Sequence, residues 1–218
     1  MEDITLKDIW KAQDERLEKT MKINLYLLES LQKQKAESKL NRLARFKFQV
    51  AILGILFCAF VAVLIWGNWF KNVYFTLSMG MIFIFTAIAV VVYIKHYILL
   101  KRINYSDSIT RTQEKLAGLQ VSTINIARIL LLQTPFYTTW FWTPEDAFQN
   151  TKFWMISLPA TLVFILITTW LYINISPKNM HKKWVSYFMN VGIEYKSVIQ
   201  AREFLTELEE FKKGLKDF

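Results

Sequence analysis

FQVAILGILFCAFVAVLIW, residues 48–66, decides the fold: it is 19 residues long and carries no charge. A short turn, GNWFKN (67–72), separates it from VYFTLSMGMIFIFTAIAVVVYI, residues 73–94, which adds 22 uncharged residues. A bilayer core about 30 Å thick is crossed by roughly 20 apolar residues at 1.5 Å rise each. A helix buried in a soluble protein keeps a polar stripe on its outer face, and neither run has one. The pair reads as a membrane hairpin.

The flanks of the hairpin set its orientation. Lys33, Lys35, Lys39, Arg42, Arg45 and Lys47 precede the first run against one acid, Glu37. Basic residues beside a span stay on the cytoplasmic side, so the N-terminus is expected inside. The same six cations form a membrane-surface cluster suited to anionic headgroups. The turn holds only Lys71 beside Trp66, Trp69 and Phe70, as expected of an external turn with interfacial aromatics. Lys95, His96, Lys101 and Arg102 follow Ile94 and return the chain to the inner side. His96 reads as an interfacial residue, with a ligand or proton-relay role as the sharper alternative.

A fourth apolar run, FWMISLPATLVFILITTWLYINI (153–175), also lacks charge and is followed by Lys178, His181, Lys182 and Lys183. Its C-terminal end is therefore expected inside, which requires one more crossing after the hairpin. VSTINIARILLLQTPFYTTWFW (121–142) is the candidate, although it contains Arg128, Gln133 and Pro135. The rival is three spans with a re-entrant or interfacial segment at 124–142, which leaves the basic C-terminal flank outside. Arg128 lies near the inner end and is expected to snorkel to the headgroups. The sharper alternative has Arg128 and Gln133 turned into the bundle, where intramembrane polar groups mark function. Pro135 and Pro159 each remove a backbone N–H and are expected to kink their helices.

The remaining segments read as cytoplasmic amphipathic helices: an arm over 1–47, a helix within 95–120 and a closing helix within 176–218. In the arm, Thr5 is the expected cap and Asn24 a restart between two apolar stripes. The first stripe is Leu6, Ile9, Trp10, Gln13, Leu17 and Thr20. The second is Leu25, Leu28, Leu31 or Gln32, Lys35, Ala36, Leu40 and Leu43. Ser106-Asp107-Ser108 precedes the middle helix with oxygen side chains suited to an N-cap. The segment HKKWVSYFMN (181–190) mixes bases with aromatics and suits the interface. The closing helix is expected to start at Ser197 or Glu194, with Val198, Ala201, Leu205, Leu208, Phe211 or Lys212, and Leu215 on one face. A small helical bundle beneath the membrane follows, and a coiled-coil or partner-docking role for the arm.

Composition narrows the function classes. The chain is 53% hydrophobic but 21% charged, too apolar for an ordinary soluble domain and too charged for one wholly in lipid. With 6 Gly and 4 Pro, long irregular loops and β-meanders are not expected. The net charge of +9 sits beside apolar runs, which suits lipid contact rather than nucleic acid. Cys58 is the single cysteine, so neither an internal disulfide nor a cysteine-based zinc site can form. Phosphate-binding glycine loops, HExxH and GxSxG motifs do not occur. The four runs contain no Asp or Glu, which argues against proton- or sodium-coupled transport. No enzyme activity, cofactor or metal is expected. Lys95, His96, Arg128 and His181 are the best catalytic cluster that could be assembled, and they lack a spaced acid–base pair.

LKDIWKAQ, then NLYLLESLQKQKAESKLNRL, then an immediate membrane hairpin, with QAREFLTELEEF near the end, resembles uncharacterised small four-span bacterial inner-membrane proteins. Some of that group are encoded beside sigma factors of the extracytoplasmic-function type. The resemblance covers the two soluble arms and the layout, and it implies a membrane-tethered regulatory role. Zinc-binding anti-sigma domains carry a His/Cys cluster in the cytoplasmic arm; residues 1–47 contain neither. The expectation is an all-α, four-span integral protein of the inner membrane with both termini cytoplasmic. It is expected to act without catalysis through helices that bind a protein partner or self-associate. The alternatives are a small channel or transporter with a path near Arg128, Gln133 and Pro135, and a membrane enzyme at the cytoplasmic interface.

Overall fold

The computed structural model describes residues 6–68, 71–103, 109–143, 145, 151–179, 182–190 and 193–214. Among these the chain is all-helical. Helix α1 runs Leu6–Asn68, 63 residues without a break, about 95 Å at 1.5 Å per residue. Arm and first apolar run are therefore one rod. The restart expected at Asn24 does not occur. Asparagine inside a helix costs only about 0.7 kcal/mol relative to alanine, and strong formers surround it at Leu25, Leu27 and Leu28. The expected cap, Thr5, lies outside the described residues.

Helix α2 (Val73–Lys101) starts at Asn72, whose side chain accepts from the Phe75 N–H at 3.2 Å. Helix α3 (Ile109–Leu131) follows, and its proposed capping serines lie outside the described residues. A 3₁₀ turn, Thr134–Thr138, continues it. A π turn over Phe153–Ser157 leads into α4 (Leu158–Asn174). Pro159 accounts for the π turn: it cannot send an N–H back along an α ladder, and the ladder widens just ahead of it, with the Leu158 N–H bonding to the Phe153 carbonyl. The short helix α5 (Lys183–Asn190) is tied back by Trp184, stacked on Trp170 with ring centroids 5.2 Å apart. The last helix, α6, is Ile193–Gly214. It starts one residue ahead of Glu194, one of the two expected starts, and Ser197 is buried inside it; serine in a helix interior costs little.

Among the described residues four helices are long and apolar enough to cross a membrane: Ile9–Asn68, Val73–Lys101, Arg111–Thr138 and Phe153–Asn174. Their outer faces stay bare. Leu53 is 64% exposed, Val63 71% and Leu166 70%, a surface compatible with lipid and costly in water. Between α1 and α2 the buried residues are small or branched: Ala51 and Val61 on one side, Ile82, Ala89 and Val90 on the other. Without a hydrophobic force between helices in lipid, close backbone approach supplies the packing. Gly54 marks a close approach, since a Cβ there would stand 2.5 Å from Val90 Cγ2.

At one end of these helices α1, α2, α3 and α6 form a bundle. Ala36, Leu40, Leu43 and Ala44 of α1 meet Leu100 and Ile103, Leu116 and Leu119 of α3, and Val198, Ala201 and Leu205 of α6. The face expected on the closing helix is the one buried, as far as its side chains are described. On α1 it is Gln32, not Leu31, that turns inward; its Nε2 donates to Glu207 Oε2 at 2.9 Å, and Leu31 is left 52% exposed.

Gly54→Ala should force α1 and α2 apart and lower the thermal midpoint of the purified protein in detergent. Adding Val90→Ala should restore most of the loss. A double variant no more stable than Gly54→Ala alone would count against this contact.

Candidate polar sites in the apolar helices

The segment after α3 is where the backbone departs from regular helix. Leu132 and Gln133 send their N–H groups to Ile129 O (3.1 Å) and Leu130 O (3.4 Å), so the ladder has tightened to three-residue steps before Pro135 is reached. The kink expected at Pro135 is realised as this 3₁₀ stretch. Its carbonyls are served by nearby hydroxyls: Thr138 Oγ1 donates to Pro135 O at 2.7 Å and Thr139 Oγ1 to Phe136 O at 3.3 Å.

Neighbouring helices complete the arrangement. Asn72 Nδ2 donates to Trp142 O at 2.7 Å, Ser78 Oγ lies 2.8 Å from Thr139 Oγ1, and Thr86 Oγ1 donates to Gln133 Oε1 at 3.3 Å. On the α4 side Thr138 Oγ1 and Thr161 Oγ1 are 3.0 Å apart. Phe85–Phe136, Phe75–Trp140 and Tyr74–Trp142 ring pairs run along the same seam. Residues 122–142 thus lie antiparallel to α2 from His96 to Asn72.

Arg128 sits half-buried in the last turn of α3. Its Nε donates to the Tyr172 carbonyl at 3.0 Å, and its guanidinium lies 4.3 Å from the centre of the Tyr172 ring. Tyr172 is in the last turn of α4, where carbonyls lack intrahelical partners. Arg128 therefore closes the end of α4 as well as complementing the dipole of α3. Arg128, Gln133 and Pro135 are not gathered at one point: each is engaged with a different part of the helix packing.

The structure creates a different cluster at the junction with the bundle. Lys47, placed by its sequence in the surface cluster, is fully buried, and its Nζ lies 4.3 Å from the centre of the Tyr93 ring. The reason is phase: Leu40, Ala44, Lys47 and Ala51 follow four-, three- and four-residue steps on the packed face of α1. Tyr93 in turn meets His96 edge-on at 6.4 Å. His96 is buried, with its Nε2 2.7 Å from Ser122 Oγ. A serine bonded to a histidine is the core of a nucleophile–base pair. The orienting third group is missing here, because His96 Nδ1 is buried without a hydrogen-bond partner. Both residues also lie inside helices, whose N–H groups are spent on the ladder and unavailable to an oxyanion. The arrangement fits an interhelical clamp among α1, α2 and α3.

The other cations of the surface cluster scatter around α1. Lys33 bonds Glu29 at 2.8 Å, Lys35 lies 5.7 Å over the Phe204 ring, Lys39 is half-buried, and Arg42 and Arg45 are exposed. Lys95 lines a cavity with Arg102 and Lys115 that takes in neither His96 nor Arg128; the His181 side chain lies outside the described residues. Among the described residues no group of His, Cys, Asp or Glu could hold a metal ion. Sequence reasoning missed Lys47 as a buried group, although its step from Leu40 and Ala44 carried the signal. It also missed Ser78, Thr86, Thr138, Thr139 and Thr161, hydroxyls that hydropathy averages away.

These features fit a membrane-embedded protein: helices with apolar outer faces, joined inside by short polar contacts. No known protein family, no curated protein and no solved structure matches the chain.

Arg128→Leu should lower the thermal midpoint in detergent by the loss of a charged hydrogen bond, about 1.5–3 kcal/mol. Arg128→Lys should recover only part of it, because an ammonium cannot bond the carbonyl and stack on the ring as a planar guanidinium does. Equal stability of wild type and Arg128→Leu would remove Arg128 from the packing.

Proposed function

We propose that the chain is a non-enzymatic, membrane-anchored interaction protein of a bacterial inner membrane, with both termini cytoplasmic, acting through its helices outside the bilayer. The observation that carries this reading is the upper half of α1. Trp10 is 65% exposed, Leu17 62%, Leu27 50% and Leu31 52%, on a helix that extends past the bundle formed by residues 36–44. Large apolar side chains left bare on a helix outside the apolar runs mark a protein contact. Trp10, Leu17, Leu28 and Leu31 recur with Met21 and Asn24 at seven-, four- and three-residue steps, the seam spacing of paired helices. Self-association or a helical partner both fit this face. A membrane-tethered regulator of the kind that the sequence layout resembles would use such an arm.

The orientation rests on charge: the bases at both ends of residues 33–47, 95–102 and 178–183 belong on one side under the positive-inside rule. The antiparallel run of residues 122–142 along α2 supports four crossings over three.

Trp10→Ser, Leu17→Ser and Leu31→Ser combined in the full chain should remove co-purifying partners or self-association. Because these side chains are exposed, the thermal midpoint should stay within about 1 kcal/mol of wild type. Retention of the same partners and the same oligomeric state would sink the proposal. Reporter fusions after Glu145 and Phe218 should read outside and inside respectively; an inside signal at Glu145 would refute four crossings.

A further inference from the structure

We infer that the cleft between the end of α2 and the start of α3 binds the phosphate headgroup of an anionic glycerophospholipid. The cleft, of about 410 Å³, is lined by Lys95, Ile98, Leu99, Arg102 and Lys115. Lys95, Ile98, Leu99 and Arg102 follow three-, one- and three-residue steps, so they share one face of α2. Lys115 closes the cleft from α3. Among the described residues three cations and two aliphatic side chains line it, and no acid.

Position decides the ligand. The uncharged run of α2 ends at Ile94, one residue before Lys95, so the cleft opens where hydrocarbon gives way to headgroups. Ile98 is 42% exposed and Leu99 half-buried, which provides an apolar floor for the glycerol and the root of an acyl chain. Lys95 and Arg102 are exposed and stand two turns apart, above and below that floor. An arginine guanidinium grips phosphate through two parallel N–H bonds, and a lysine ammonium meets it as a point charge. Basic pockets between membrane helices at this level hold acidic headgroups. A free phosphate would use the cations but leave Ile98 and Leu99 idle, and a zwitterionic lipid would bring a positive group against them. The site differs from the basic residues of α1, which scatter around that helix.

The test uses the full chain purified in detergent and mixed with phosphatidylglycerol, cardiolipin or phosphatidylcholine, with retained lipid counted by native mass spectrometry. Wild type should keep one anionic lipid in preference to phosphatidylcholine. The triple variant Lys95→Gln, Arg102→Gln, Lys115→Gln should lose that retention by about tenfold or more. A charge-matched control, Lys33→Gln, Arg42→Gln, Arg45→Gln, should keep it. Ile98→Ser should weaken lipid binding while leaving the three cations in place. Equal losses in the triple variant and the control would reduce the effect to general surface charge and overturn the proposal. No loss in the triple variant would overturn it as well. Complete displacement of the lipid by millimolar inorganic phosphate, or indifference to Ile98→Ser, would show a bare anion site and not a lipid site. Thermal midpoints of all variants, measured in parallel, separate lost binding from lost fold.

Discussion

A backbone in hydrocarbon has no water to bond, so each N–H and C=O must find a partner within the protein. Helices α1 and α2 meet this demand through their own ladders and need little from each other beyond close packing. The segment after Leu131 does not, and much of the arrangement follows from it. Pro135 cannot donate, the ladder tightens to 3₁₀ steps, and the carbonyls of Pro135, Phe136 and Trp142 accept side-chain bonds from Thr138, Thr139 and Asn72. The same hydroxyls reach Ser78 on α2 and Thr161 on α4. A local weakness is thereby converted into the polar contacts that join three apolar helices. Such interhelical bonds are worth about 0.6 kcal/mol each on average, so their role is to set register more than to supply most of the stability.

The second constraint is the continuity of α1. A rod of 63 residues with no break carries both the first apolar run and the arm, so the bundle at Ala36–Ala44 and the contact at Gly54 are fixed on one body. Lys47 lies between them. A buried ammonium is expensive unless other groups surround it, and the Tyr93 ring is one of those groups. With His96 bonded to Ser122 one turn away, the junction is held by polar chemistry where the packing changes from lipid-facing helices to a closed bundle.

The apolar runs at 48–66, 73–94 and 153–175 were legible because hydropathy is summed over twenty residues and tolerates single errors. The pairing of the closing helix was legible for the same reason: Val198, Ala201 and Leu205 repeat at helical spacing. What failed depended on single residues. Asn24 looked like a break because asparagine favours turns, yet its local cost is small against a helix already committed on both sides. The burial of His96 was not legible, because its phase turns it toward Ser122 of a helix whose position no local signal discloses. The hydroxyl seam was invisible for a related reason: serine and threonine in an apolar run are neutral to hydropathy, and only tertiary placement tells a lipid-facing threonine from one bonded to Gln133.

Cations show the same principle most clearly. Lys47, Arg128 and Lys95 all stand within a few residues of an apolar run, and composition treats them alike. Lys47 is in phase with Leu40 and Ala51 and is carried inside. Arg128 is at the end of α3, where its reach finds the Tyr172 carbonyl at the end of α4. Lys95 is one residue from His96, about 100° around the helix, and that rotation alone moves it from the packed face to the open cleft with Arg102. Charge near a membrane thus predicts side, whereas helical phase decides whether a base becomes a clamp, a cap or a ligand for the bilayer.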